Sequence, residues 1–154
     1  MEDGRLGLID YGLVGRLSPE QRKLVASTVL AFHYGKKMEV AQIYLDSGYR
    51  AGWQTGGEHG PEVIYRVASF HLDRIDLSPI TLENGEKWNM VKLLGKSMEI
   101  STPDWIQQMK RIGLLLIGVS SQAGRPISLS REWQPIAKQS LKAEANANAV
   151  IDSY

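Results

Sequence analysis

Apolar residues recur at intervals of three to four positions along most of the chain, which is the spacing of one face of an α-helix. The front of the chain differs, because residues 5–9 (RLGLI) read as a short apolar strand. The pattern therefore predicts a mainly α fold, with one short N-terminal strand followed by about six helices. The predicted helices cover residues 18–34, 38–46, 61 to about 74, 88–94, 102–124 and 130–142.

Two of these helices carry clear start signals. Ser18 is a good N-cap residue, Pro19 suits the first helical position, and Gln21 completes a capping box. Gly35 is placed to end this first helix. The helix at 102–124 is predicted to be the longest, with a cap at Thr102-Pro103-Asp104.

The longest apolar run is IGLLLIGV, residues 112–119. Because the run is apolar on all sides, we expect this half of the helix to be the most buried part of the fold. Gly113 and Gly118 within it would let another helix approach closely. The run is too short to span a bilayer, which requires about 20 residues.

The segments between the helices contain no linker that would divide the chain. Residues 49–60 read as a polar, glycine-rich loop and residues 75–85 as irregular. We expect one unit over residues 1–142 and a flexible tail over 143–154, which contains AEANANAV.

Composition narrows the possible functions. The chain is 43% hydrophobic and 23% charged, as in globular proteins, with a net charge of +1. This charge balance argues against nucleic acid as a partner. With no cysteines, a disulfide scaffold, a cysteine zinc site and a thiol nucleophile are all excluded. No secretory or transit segment is visible.

Asp10 is the leading chemical candidate. It directly follows the apolar strand and begins Asp10-Tyr11-Gly12, which has the form of a kinase-type Asp-Phe-Gly motif. In such a motif the carboxylate binds magnesium on nucleotide phosphates. Alone, the tripeptide is a weak signal, because an aspartate that ends a strand and precedes a turn is common and is the favoured interpretation. Asp3-Gly4, upstream, is either a hairpin turn without its first strand or simply a chain end.

The remaining polar residues give weaker signals. Residues 71–74 (HLDR) lack the order of a catalytic loop and read as a helix end with a solvated charge pair. His33 and His59 have no partner at metal-ligand spacing. Gly56-Gly57 lacks the lysine of a phosphate-binding loop. The four tryptophans read as core or interface anchors.

A longer comparison gives Asp10 more weight. GRLGLIDYGLVGRLSPEQRKLVA, residues 4–26, resembles the magnesium-binding segment of the UbiB-like (aarF-domain-containing) atypical kinases. YLDSGYR (44–50) and PEVIYRVASFHLDR (61–74) resemble the helices that follow, and RIGLLLIGVSSQAGRPISLSREWQPIAKQ (111–139) resembles the closing segment. The resemblance covers residues 4 to 139; TGGEHG and ENGEKWNMV look individual.

The resemblance implies the fold of a protein-kinase-like C-lobe fragment, with Asp10 as metal ligand and Gly12 as the second residue at the cofactor site. For a complete family member it implies Mg²⁺ and ATP as cofactors, and ATP hydrolysis or phosphoryl transfer. It also implies a role in ubiquinone or other prenyl-quinone lipid metabolism. The partners would be that lipid or its biosynthetic proteins, at bacterial, mitochondrial or plastid membranes, with peripheral association.

The departures from the family pattern limit what the chain can do. The nucleotide-contacting lysine, the Lys-x-Gly-Gln segment and a catalytic loop with Asp and Asn have no match, and only nine residues precede Asp10. We therefore expect no catalysis by this chain alone. The alternative is a non-catalytic helical binding or scaffold module. A truncated lobe should expose apolar surface near residues 5–15, whereas a module should bury its own core.

Overall fold

The computed structural model describes residues 15–52, 60–82, 84–96 and 99–151, and within these ranges the chain is mainly helical, as predicted. The predicted strand at 5–9 and the Asp3-Gly4 turn lie outside the described residues. The six helices of the described ranges are α1 (Pro19–His33), α2 (Lys37–Asp46), α3 (Pro61–Leu72), α4 (Met90–Lys96), α5 (Asp104–Gln122) and α6 (Leu129–Ile151).

Helix α1 begins as the capping signals predict. The Gln21 backbone N–H donates to Ser18 Oγ at 3.2 Å, and the Ser18 backbone N–H donates to Gln21 Oε1 at 2.8 Å. This reciprocal pair satisfies two backbone donors that the first helical turn leaves free. Gly35, with φ of 66°, supplies the left-handed conformation that ends the helix.

The main core lies where α3 packs between α2 and α5. Large side chains that are almost completely buried fill it, contributed by all three helices and the chain between them: Val40, Tyr44, Tyr49, Val63 and Ile106. Helix α1 packs along α6, with a smaller apolar cluster of Ala26, Val29 and Ala137 between them. No helix of the described ranges is long and apolar enough to cross a membrane.

Two short antiparallel strand pairs replace part of the predicted loops. Strand β1 (Arg50–Ala51) pairs with β4 (Glu99–Ser101), and β2 (Ile80–Thr81) pairs with β3 (Lys87–Trp88). The prediction of a polar loop from residue 49 was therefore wrong at its start, where Tyr49 and Ala51 are buried. Residues 80–81 were likewise wrongly predicted to be irregular. Strands of two or three residues are too short to show the alternation by which strands are recognised.

The fourth helix was predicted to start at Trp88, and this was wrong. Trp88 belongs to β3 and is buried, and the helix begins at Met90. Asn89 sets this boundary, because its Oδ1 accepts a 2.9 Å hydrogen bond from the Lys92 backbone N–H. The residue therefore acts as the N-cap that the sequence pattern did not reveal.

The helix predicted at 102–124 is present over nearly that range, as α5. Two details of the prediction were wrong: how the helix is capped, and that it is the longest helix. Pro103 stands at the N-cap with no side-chain cap bond, while the Thr102 hydroxyl donates to Glu99 at 3.1 Å. Helix α6, with 23 residues, is longer than α5, with 19. It continues beyond the predicted end at residue 142 as far as Ile151.

The apolar run of α5 is not the most buried part of the fold, contrary to the prediction. Four of its side chains, named here the α5 stripe, are 38–62% exposed: Ile112, Leu115, Leu116 and Val119. Helix α5 buries a different face, which carries Trp105, Ile106, Met109, Gly113 and Ile117. When a helical run is apolar on all sides, one face can pack into the core while another apolar face stays exposed.

Gly113 allows the close approach that its position predicts. A methyl group at its Cα would lie 2.3 Å from the backbone oxygen of His71, at the end of α3. No side chain fits there without separating the two helices. Gly118, in the same helix, has nothing within 4 Å of the equivalent position, so the predicted close approach does not occur there.

These two glycines form a matched pair for a stability test. Gly113→Ala should lower the free energy of unfolding by about 2 kcal/mol or more, because α3 and α5 must move apart. Gly118→Ala should be neutral or stabilising by up to about 1 kcal/mol, because alanine favours the helix. Urea denaturation measures both, and equal stability of the two variants would contradict the assignment of the contact.

Candidate functional site

The predicted site residues Asp10 and Gly12, together with Tyr11, lie outside the described residues, as do His59 and Gly56-Gly57. The described chain begins at Gly15, three residues after Gly12, and lies against α5. A methyl group at the Gly15 Cα would come within 2.8 Å of Gln108 Oε1. The chain that leaves the predicted metal-binding motif is therefore in contact with α5 before it enters α1.

An apolar groove of about 320 Å³ opens beside this entry point, between α1 and α6. Leu17, at the entry to α1, and Met109 of α5 are among its lining residues. The other lining residues are Arg22, Val25, Ala26, Val29, Trp133, Ile136, Ala137 and Ser140. Such a lining suits apolar side chains better than phosphates or a metal ion.

One groove residue, Met109, lies on the same helix as the α5 stripe. Met109, Ile112 and Leu116 stand at positions i, i+3 and i+7 of α5, so their side chains follow one line along the helix. Met109 is almost buried, whereas Ile112 and Leu116 are more than a third exposed. Apolar side chains of α5 thus run from Met109, which lines the groove, to Ile112 and Leu116 of the α5 stripe.

A polar cluster, named here the His71 cluster, lies where α3, β4 and α5 meet. Lys110 Nζ donates to both carboxylate oxygens of Glu99, at 2.7 and 2.9 Å. Glu99 Oε1 also lies 3.4 Å from His71 Nε2, and Thr102 donates to the same carboxylate. The cluster thus combines a charged pair with an imidazole that is 6% exposed.

Burial sets the protonation states in this cluster. It lowers the pKa of His71 to about 4; Glu99 opposes this shift, and the Lys110 ammonium adds to it. Burial is the largest influence on Glu99 and by itself would raise its pKa. The hydrogen bond and charge of Lys110, together with His71 and the Thr102 hydroxyl, outweigh burial, so the pKa is lowered. At neutral pH the cluster therefore holds a neutral imidazole beside a Lys–Glu ion pair.

Two tyrosines extend the cluster into the core. The ring of Tyr49 lies 6.4 Å from that of His71 and 5.4 Å from that of Tyr44. Burial raises the pKa of both phenols, so both remain protonated. Among the described residues, neither tyrosine hydroxyl has a hydrogen-bond partner. The Nδ1 atom of His71 has none either. The groove lining includes none of the three, so the cluster is better explained as part of the core than as a catalytic site.

Asp73 corrects the prediction of a solvated charge pair at the end of α3. It is 2% exposed, and its Oδ1 accepts hydrogen bonds from Ser128 Oγ at 2.7 Å and from the Ser130 backbone N–H at 3.0 Å. Its backbone oxygen accepts from the Leu129 N–H at 3.0 Å. The carboxylate therefore caps the start of α6, where the helix dipole favours negative charge.

Sequence reasoning missed the His71 cluster, although one signal was present. Ile64, Val67 and Ala68 continue to His71 at positions i, i+3, i+4 and i+7, which places the imidazole on the buried face of α3. Nothing in the local pattern links it to Glu99 or Lys110. Within the described ranges, no group of three or more His, Asp or Glu side chains could hold a metal ion.

Comparisons with known proteins return no matching family model, curated protein or solved structure. The likeness to UbiB-like kinases therefore depends on the residues quoted above.

The buried imidazole makes stability depend on pH. Between pH 6.5 and about 4 the unfolded chain protonates His71 while the folded chain does not, so stability falls as the pH is lowered through this window. The loss from this group should reach about 3 kcal/mol. His71→Gln should remove that part of the pH dependence in urea denaturation.

His33→Gln is the matched control, since His33 is exposed at the end of α1. It should leave the slope between pH 6.5 and 4 as it is in the parent chain. An unchanged slope in His71→Gln would contradict the protonation state assigned to the cluster.

Proposed function

We propose that the chain is the C-lobe portion of a UbiB-like atypical kinase or ATPase. Asp10 binds Mg²⁺ on the nucleotide phosphates, and Gly12 allows the backbone turn that follows it. The complete protein would act in ubiquinone or other prenyl-quinone lipid metabolism, in peripheral contact with a membrane. The 154 residues alone do not transfer a phosphoryl group.

The observation that carries this proposal is the continuity of the motif with the helical frame. The resembling segment, residues 4–26, runs without a gap from Asp10-Tyr11-Gly12 into the capping box of α1. The resembling segments after the motif overlap helices α2, α3, α5 and α6 of the described structure, which supports the helical fold that the resemblance implies. The contact of Gly15 with Gln108 supports a defined exit of the motif along α5.

The expected inactivity follows from the chemistry of phosphoryl transfer. The reaction needs a lysine on the phosphates, metal ligands, and a carboxylate that orients the acceptor. Asp10 supplies one metal ligand, and magnesium bound by a single carboxylate depends on substrate phosphates for its other ligands. The remaining parts have no match in the sequence.

A transplant tests the proposal. Residues 4–139 replace the matching C-lobe segment of an active UbiB-like kinase, and circular dichroism selects folded chimeras. The chimera should hydrolyse ATP with Mg²⁺, and Asp10→Asn should reduce the rate by at least about 100-fold, because a direct ligand is lost. Asp46→Asn, at an exposed carboxylate that ends α2, should keep the rate.

Two results would count against the proposal. A folded chimera without hydrolysis, or one equally active with Asp10→Asn, would contradict the role of the motif. Magnesium-dependent hydrolysis by the 154 residues alone that disappears in Asp10→Ala would contradict the inactivity.

A second candidate, a non-catalytic helical scaffold, is favoured by the core that α2, α3 and α5 build among themselves. The order of the resembling segments over residues 4–139 favours the lobe portion instead. Thermal unfolding and oligomeric state separate the two. A monomer with a cooperative transition favours the scaffold, and aggregation favours the lobe portion.

A further inference from the structure

We propose that the α5 stripe and the adjoining groove form a docking surface for the chain's own residues 5–14. The docked segment would bury its apolar side chains, Leu6, Leu8, Ile9, Leu13 and Val14, against α5. The proposal does not depend on the kinase assignment, since it rests on exposure, contact and reach.

The surface itself has the features of a packing face. Its four stripe residues follow the spacing i, i+3, i+4 and i+7, which is that of a helix face that meets a partner. Leu115 is 62% and Val119 59% exposed. A contiguous apolar patch of this kind on a helix marks an interaction site.

The occupant is indicated by the place where the described chain begins. Gly15 touches Gln108, which precedes Ile112 by four residues and so lies one turn away on the same side of α5. The segment that ends at Val14 therefore arrives at one end of the stripe.

The reach of the segment fits the surface. The stripe extends over seven positions of α5, or about 10 Å, because an α-helix rises 1.5 Å per residue. Extended chain covers about 3.3 Å per residue, so three or four residues span it. Residues 5–14 provide more than this length, and half of them are apolar.

Thiol labelling tests the proposal in the full chain, since the chain has no cysteine of its own. Leu115→Cys reports on the stripe, and Val91→Cys, at an 80% exposed apolar position of α4, is the control. A docked segment should slow labelling of the Leu115 position at least about tenfold relative to the control. Replacing Leu6, Leu8, Ile9 and Leu13 together by serine should restore the control rate.

Each other outcome overturns the proposal. Equal rates at the two positions would mean that the stripe is free. Slow labelling that the serine replacements leave unchanged would assign the surface to another occupant, which is a second copy if the slowing depends on protein concentration.

A cysteine pair gives an independent measurement that does not need the serine variant to fold. Val14→Cys with Ile112→Cys should form a disulfide within one molecule. Val14→Cys with Arg131→Cys, at an exposed position of α6, should form none. Equal cross-linking of both pairs, or of neither, would overturn the docking.

Discussion

The backbone contact between Gly113 and the carbonyl of His71 is the constraint on which the arrangement of the helices depends. It brings α5 against the end of α3 at a distance that admits no side chain. Lys110, one turn earlier in α5, then reaches Glu99 beside His71. Asp73, two residues after His71, caps α6 from the same corner. Helix α6 in turn packs along α1, into which the predicted metal-binding segment runs.

This corner also explains the electrostatics of the core. The Lys110–Glu99 pair is tied by two hydrogen bonds, and a buried imidazole beside it remains neutral because burial penalises its charged form. Both side chains of the pair are partly buried, at 20% and 25% exposed. The contacts of this cluster connect β4 and α5 to the end of α3.

The helices could be predicted from the sequence where their signals are local. Ser18 and Gln21 are three residues apart, and the cap they predict is present. Contacts between distant residues could not be predicted in this way. Asp73 and Ser128 are 55 positions apart, and each alone reads as a surface residue. The prediction that residues 112–119 are the most buried part of the fold was wrong for a related reason. Hydrophobicity does not say which side of a helix another element covers.

The same distinction between local patterns and contacts of distant residues applies to the candidate site. Asp10 and Gly12 could be proposed because a motif is a local pattern, whereas the surface proposed for their segment depends on the packing of α1, α5 and α6. The helical frame and the motif meet at Gly15, and the central claim is that the motif is held on the frame through α5. Methyl–methyl nuclear Overhauser effects in the full chain test this claim most directly. Cross-peaks from Leu13 and Val14 to Ile112 and Leu116 are predicted. Their absence, with random-coil shifts for residues 5–14, would contradict it.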